Sequence, residues 1–138
     1  MESRNVKVES GCPGLIGQNE LEVRTKAFAL RIIKFVGGAP KNRVTDVLGY
    51  QLLRSGTSIG ANYREAQKAE SADDFIHKLA IVQKEANETK YWLELICDAG
   101  IGEEPESAAL LQEASELVAI FTTAGKTAKA HRGSRKRK

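Results

Sequence analysis

Two patterns in the 138-residue sequence could carry catalytic chemistry, and each lacks a required part. Residues 56–60 spell G-x-S-x-G, a serine-nucleophile pattern that works on a sharp turn between a strand and a helix. Here the pattern lies inside a helical repeat, and the chain has only two histidines, His77 and His131. Asp74 precedes His77 by three residues, as in the Glu-x-x-His motif of di-metal bundles, which needs a second copy and further carboxylates. The sequence therefore predicts no enzyme activity, metal site, cofactor or small-molecule substrate.

A polar stripe is the most informative chemical feature of the sequence. Its members are three or four residues apart, so they share one helix face. They are Gln51, Arg54, Ser58, Asn62 and Glu65. Small residues lie beside the stripe, whereas solvated helix faces usually carry long helix formers such as Lys and Glu. One interpretation is a surface buried against a neighbouring helix or subunit, in which these polar groups bond to one another because buried polar groups need partners. The alternative is a solvated helix face.

Positive charge gathers at the C-terminus. The last ten residues contain no acid and six cations, which are Lys129, Arg132, Arg135, Lys136, Arg137 and Lys138. The net charge of the whole chain is +3, so the remainder carries −3. Because such a cationic segment attracts nucleic-acid phosphate, one hypothesis is that it binds RNA or DNA. The alternative is a solubilising extension.

The remainder of the chain divides into a basic and an acidic half. Residues 20–68 sum to +5 and residues 73–126 to −7. This division suggests head-to-tail contacts between copies that close into a ring. The first half also offers a second candidate surface for phosphate, formed by Arg24, Arg31, Lys34, Lys41 and Arg43.

Four stretches repeat apolar residues every three or four positions, which is the spacing of an amphipathic helix. They cover about residues 20–36, 44–69, 71–99 and 103–125. The repeat includes Leu30 and Ile33 in the first stretch and Val47 in the second. Three glycines, Gly49, Gly56 and Gly60, interrupt the second stretch. Each costs about 1 kcal/mol relative to alanine in a helix interior, which indicates that another backbone approaches closely there.

Short connections containing glycine or proline separate the stretches, so neighbouring helices must run antiparallel. The sequence predicts an all-α, antiparallel up-down-up-down four-helix bundle over residues 19–126. It also predicts a flexible leader at residues 1–18 and a disordered basic tail at residues 127–138. Ser71 and Asp74 have the spacing of a capping box at the start of the third helix, and Gly125 is expected to end the fourth.

The cellular compartment is indicated by the absence of membrane-spanning and secretory segments in the sequence. No apolar run reaches the roughly 20 residues that a membrane-spanning helix needs. Residues 1–18 have no apolar block of the kind found in secretory signals, and the two cysteines do not indicate a disulfide framework. We therefore expect a cytoplasmic protein without a membrane partner.

The second stretch resembles the second-helix motif of the bacterial four helix bundle protein family, also called the 23S rRNA intervening-sequence protein family. The family pattern is Gln-Leu-x-Arg, then small residues with Ser-Ile, then Asn-x-x-Glu. The matching positions are Gln51, Leu52, Arg54, Ser58, Ile59, Asn62 and Glu65. Residues 74–79 and 84–95 resemble the third helix of the family, and the whole resemblance extends over residues 20–121.

This resemblance implies a four-helix bundle that assembles as a ring-like homopentamer. It also implies kinship with the accessory variability protein of diversity-generating retroelements, which is thought to bind nucleic acid through a basic surface. The −3 charge outside the last ten residues departs from that relative and shifts the expected binding to the tail. Two functions stay open: a non-enzymatic oligomeric adaptor that binds nucleic acid, and a structural or protein-binding oligomer that does not. A third, an enzyme with a polar site at Arg54, Asn62 and Glu65, is disfavoured.

Overall fold

A computed structural model describes residues 20–137, which form four α-helices. These are α1 (Glu20–Gly37), α2 (Arg43–Gln67), α3 (Ala72–Ala99) and α4 (Glu106–Arg137). Helix α1 packs on α2, α2 on α3 and α3 on α4, whereas α1 and α4 approach each other less closely. Because each connection is short, successive helices run antiparallel. The predicted all-α, up-down-up-down bundle is confirmed, and the leader predicted at residues 1–18 lies outside the described residues.

Local side-chain chemistry sets where the helices begin and end. The Asn42 side chain accepts a hydrogen bond from the Thr45 N–H at 2.9 Å and so caps the start of α2. The Ser71 hydroxyl accepts from the Asp74 N–H at 3.0 Å, which confirms the predicted cap of α3. At the other end of α3, Gly100 has a φ of 69°, a left-handed conformation in which its N–H donates to the Cys97 carbonyl. Glycine is suited to that position because it has no Cβ.

The core lies along the bundle axis and draws on all four helices. Its buried members are Phe28, Ile32, Leu52, Ile59, Tyr63, Leu79, Val82, Ala86, Leu93, Ile96, Leu110, Ala114, Leu117 and Phe121. The rings of Tyr63 and Phe121 pack with their centroids 5.4 Å apart, which joins α2 to α4 across the core. This burial raises the pKa of the Tyr63 phenol. Most of the apolar repeat of the sequence thus fills a single core.

The three glycines within α2, Gly49, Gly56 and Gly60, all lie where α1 packs closely against it. A Cβ on Gly60 would lie 2.9 Å from the Thr25 Oγ1, and one on Gly56 would lie 3.2 Å from the Ile32 Cδ1. Real Cβ atoms are seldom this close to a neighbour, so a larger residue would force the neighbouring side chain of α1 to shift. The predicted close approach at these glycines is confirmed, and the helix that approaches is α1.

The predicted end of the fourth helix at Gly125 is wrong, because α4 continues to Arg137. A Cβ on Gly125 would fall on the Gln83 side chain, so this glycine permits contact with α3 and does not end the helix. The residues beyond it are mostly alanine, lysine and arginine, which favour helix. Arg132 also binds Asp73, in the first turn of α3, at 3.0 Å. The disorder predicted from residue 127 is therefore wrong as far as residue 137, and Lys138 lies outside the described residues.

Candidate functional site

The polar stripe on α2 faces away from the bundle core. Arg54 and Glu65 are exposed, and the other three members are half-buried. The Ser58 hydroxyl donates to the Arg54 carbonyl at 2.6 Å, and the Asn62 amide donates to the Ser58 carbonyl at 2.9 Å. These bonds remain within α2 itself. Among the described residues, the stripe therefore forms no buried network with α1 or α3, and its burial by another subunit stays a prediction.

Arg54 makes the contact between the stripe and α3. Its Nη2 lies 3.6 Å from the Glu88 Oε1 and donates to the Gln51 Oε1 at 3.3 Å. Both side chains of the ion pair are more than a third exposed, and exposed pairs of this kind contribute at most about 1 kcal/mol. Arg54 is thus a surface cation that an outside partner can reach.

Exposed apolar side chains are the feature that sequence reasoning missed. Those that the structure describes are Val23, Leu30, Ile33, Val44, Val47, Tyr50 and Tyr91. Each is about half exposed or more, and all except Tyr91 lie on α1 or α2. Leu30, Ile33 and Val47 belong to the apolar repeat of the sequence, but they point to solvent in the single chain. The apolar repeat identifies amphipathic helices, but it does not show which of its residues are buried within a single chain.

Two of these residues extend the polar stripe. Val44 and Val47 precede Gln51 by seven and four residues, so they continue the same face of α2 toward its N-terminus. The face therefore begins with exposed valines and ends at Glu65. A mixed apolar and polar face of this kind is typical of protein–protein interfaces.

The cations of α1 are paired with carboxylates of α4. Arg24 donates to both carboxylate oxygens of Glu113, at 2.7 and 2.9 Å, and to the Glu116 Oε1 at 2.7 Å. These bonds, led by those to Glu113, raise the pKa of Arg24 well above its usual value. Arg31 binds the Glu106 Oε2 at 3.3 Å. Arg24 and Arg31, two of the five cations proposed as a phosphate-binding surface, are therefore paired with carboxylates within the chain.

This pairing corrects the interpretation of the charge division. The sequence suggested that the basic and acidic halves meet between copies of the chain. The structure brings α1 and α4 together as neighbours in one bundle, so part of the opposite charge is matched internally. The charge division alone therefore no longer supports contacts between subunits.

The remaining candidate cations of the first half lie near the connection between α1 and α2. Lys34, Lys41 and Arg43 are all exposed. Lys34 lies beside a cleft of about 470 Å³, which is also lined by Arg31, Phe35, Gly38, Ala39, Glu103 and Glu106. Two cations and two carboxylates share this cleft, and no residue of the polar stripe lines it. The cleft is not a concentrated site for an anion.

The basic residues near the C-terminus, as far as Arg137, lie on α4. Lys126 and Lys129 are exposed on α4, and Arg132 binds Asp73 at 3.0 Å. The backbone of residues 135–137 continues the helix, which carries Arg135, Lys136 and Arg137. After Glu116 the chain contains no further acid. The candidate phosphate-binding segment is thus the final turns of α4, hereafter the basic end (residues 126–137).

Two further structural features bear on the class of the protein. Over residues 20–137, no three His, Cys, Asp or Glu side chains are grouped so that they could hold a metal ion. None of the helices in this part of the chain has an apolar stretch long enough to cross a membrane.

Comparison with known proteins identifies the family. The model of the 23S rRNA-intervening sequence protein family matches residues 19–123, which cover most of the bundle but not the basic end. The chain is also similar to a crystal structure of a protein with unknown function from the S23 ribosomal protein family of Bacteroides thetaiotaomicron VPI-5482. The identity is 40% and the TM-score 0.68, over 76% of this chain and 97% of that chain. No protein with a curated description matches. The chain belongs to the 23S rRNA-intervening sequence protein family.

Proposed function

We propose that this protein is a non-enzymatic adaptor that self-associates and attaches to nucleic acid through the basic end of α4. One observation carries the proposal. Between Glu116 and the C-terminus there are seven basic side chains and no acid, and the structure describes most of this segment as helix. A helix holds these cations at regular spacing and favours them near its C-terminus, where the dipole is negative.

The chemistry of the basic end suits phosphate and not bases. Each lysine or arginine that neutralises a phosphate releases a counterion, which makes the affinity strongly dependent on salt. The segment from 122 to the C-terminus contains no Phe, Tyr or Trp on which a base could stack. The expected binding is therefore tolerant of sequence and weak at high salt.

Self-association is supported by the exposed apolar residues of α1 and α2. Val23, Leu30 and Ile33 are seven and three residues apart and so share one exposed face of α1, and an exposed apolar face usually marks a contact with another protein. A second copy would cover Leu30, Ile33 and Val47, which the apolar repeat of the sequence includes but one chain leaves exposed. An assembly would also present several basic ends to one nucleic acid, so that the later contacts become intramolecular. The pentamer number comes from the family resemblance alone.

The second candidate function is an oligomeric scaffold that binds protein and no nucleic acid. The pairing of Arg24 and Arg31 with carboxylates of α4 favours it, because these two arginines are then less available to phosphate. Under this alternative, the basic end serves only solubility.

Neutralising the basic end separates the two functions. The test variant changes Lys129, Arg135, Lys136 and Arg137 to glutamine, which keeps the helix propensity high. The matched control removes the same charge elsewhere by changing Lys26, Lys68, Lys84 and Lys90 to glutamine. Affinity for a duplex DNA is measured against salt concentration for both. We expect the test variant to bind far more weakly, and its log–log salt slope to shrink by about 0.9 for each phosphate that is no longer neutralised.

The control should retain most of the parent's affinity. Equally weakened binding in the two variants would contradict the assignment to the basic end. If the parent protein does not bind RNA or DNA even at low salt, the scaffold function is correct instead.

A further inference from the structure

We propose that acidic side chains of α4 compete internally with nucleic-acid phosphate for the arginines of α1. The competing groups are Glu106, Glu113 and Glu116, and the arginines are Arg24 and Arg31. This inference rests on the proposed function and restricts where nucleic acid binds. The carboxylates keep the side of α1 that faces α4 neutral, so that phosphate is directed to the basic end.

The bond geometry supports this competition. The Arg24 guanidinium donates from Nε and Nη2 to the two oxygens of the Glu113 carboxylate, a forked arrangement that phosphate also matches. A second carboxylate, from Glu116, accepts from the same Nη2. The Glu116 carboxylate is itself held by the Gln112 amide at 3.0 Å, and this bond together with Arg24 lowers the pKa of Glu116. The carboxylate therefore remains charged at neutral pH.

The seam between α1 and α4 is accessible to a large anion. The side chains of Arg24 and Arg31 are 36% and 40% exposed, and those of Glu116 and Glu106 are 48% and 41% exposed, whereas that of Glu113 is 18% exposed. The forked pair of Arg24 with Glu113 and the added bond to Glu116 form a network, which holds the guanidinium more firmly than a single exposed ion pair would. Phosphate must therefore displace these carboxylates to reach Arg24. The bundle core would remain closed during this exchange, because the paired groups lie outside it.

The carboxylates determine how much positive charge α1 presents. Arg24, Arg31 and Lys34 lie along α1 over about 15 Å, from ten residues at 1.5 Å each. Without α4 these three cations would form a continuous basic row. With α4 in place, only Lys34 of the three has no ion pair among residues 20–137. The acidic residues of α4 thus prevent a second binding surface from forming on the bundle.

The test removes the competing charge while leaving Arg24 one amide oxygen as an acceptor at each position. Glu113→Gln with Glu116→Gln retains an acceptor for the guanidinium but adds two units of positive charge. The matched control, Glu94→Gln with Asp98→Asn, makes the same charge change at exposed positions of α3. We measure affinity for a mixed-sequence RNA and a duplex DNA as a function of salt. Circular dichroism checks the helical content of each variant.

We expect the Glu113/Glu116 variant to bind several-fold more tightly than the control, with a steeper dependence on salt because Arg24 then neutralises a phosphate. Adding Arg24→Gln should cancel the increase in affinity. The inference is overturned if the two variants bind equally, or if the increase survives Arg24→Gln. Should the double variant fail to fold, Glu106→Gln tests the same competition at Arg31, with Glu94→Gln as its control.

Repeating the comparison with the basic end neutralised separates the inference from the proposed function. If the parent does not bind but the Glu113/Glu116 variant does, the proposed function fails and the internal competition holds. If the parent binds through its basic end and the variant binds no more tightly than the control, the competition fails alone. Absence of binding in every variant at low salt overturns both.

Discussion

At the scale of single residues, Gly60 and Thr25 illustrate what the sequence reveals. Thr25 is fully buried, and its hydroxyl donates to the Leu21 carbonyl at 2.7 Å, so its side chain is held in place. Glycine is unfavourable within a helix, so its presence at position 60 predicted a close neighbour. The identity of that neighbour depends on tertiary packing and could not be predicted. The sequence likewise did not show that Arg54 and Glu65 point to solvent. Their helical spacing places them on one face of α2 but does not show whether another element covers that face.

We expect Gly60→Ala to destabilise the protein. The added methyl group would lie 2.9 Å from the Thr25 Oγ1, and overpacking of this kind typically costs about 1–3 kcal/mol. This cost opposes a gain of up to about 1 kcal/mol in helix propensity. Gly133→Ala is the matched control, because its Cβ would meet no atom within 4 Å. Urea unfolding should show a lower midpoint for Gly60→Ala only, and an increase like that of the control would refute the close contact.

At the scale of helices, the apolar repeat predicted four elements and their antiparallel order, but not the end of α4 or the pairing across α1 and α4. The glycine rule failed at position 125 because that residue permits contact with Gln83. The basic and acidic halves were visible in the sequence. That their charges meet within one bundle, between α1 and α4, became clear only from the arrangement of the helices. Ion pairing within one chain and ion pairing between chains are compatible with the same sequence, so the sequence could not distinguish them.

The ion pairs between α1 and α4 make stability depend on acidic pH. The Gln112 amide and Arg24 lower the pKa of Glu116 in the folded protein. A carboxyl group with a lowered folded pKa stabilises the fold above its unfolded pKa of about 4.3 and loses that contribution as pH falls further. We expect the melting temperature to fall less steeply below pH ~4 in Glu116→Gln than in the parent. The control Glu94→Gln should follow the parent, and identical profiles for all three proteins would argue against the pairing.

At the scale of the whole molecule, the proposed self-association would cover the exposed apolar side chains of α1 and α2. Leu30 on α1 and Val47 on α2 are each more than half exposed. We expect Leu30→Glu with Val47→Glu to shift the protein toward the 15.1 kDa monomer, because charged groups are costly to bury at an interface. Tyr91→Glu on α3 is the control, as it adds a charge at an exposed aromatic residue away from α1 and α2. Light scattering that shows a monomeric parent would contradict self-association.

The proposed function depends most on attachment to nucleic acid through the basic end, and hydrogen exchange measures that attachment directly. Exchange of the full chain is followed by mass spectrometry with and without a mixed-sequence RNA, at low and at high salt. We expect slower exchange in peptides from residues 126–137 at low salt, and no such protection at high salt because the contacts are electrostatic. Protection confined to residues 51–65 would place the partner on the polar stripe instead. Unchanged exchange throughout the chain at low salt would contradict nucleic-acid attachment altogether.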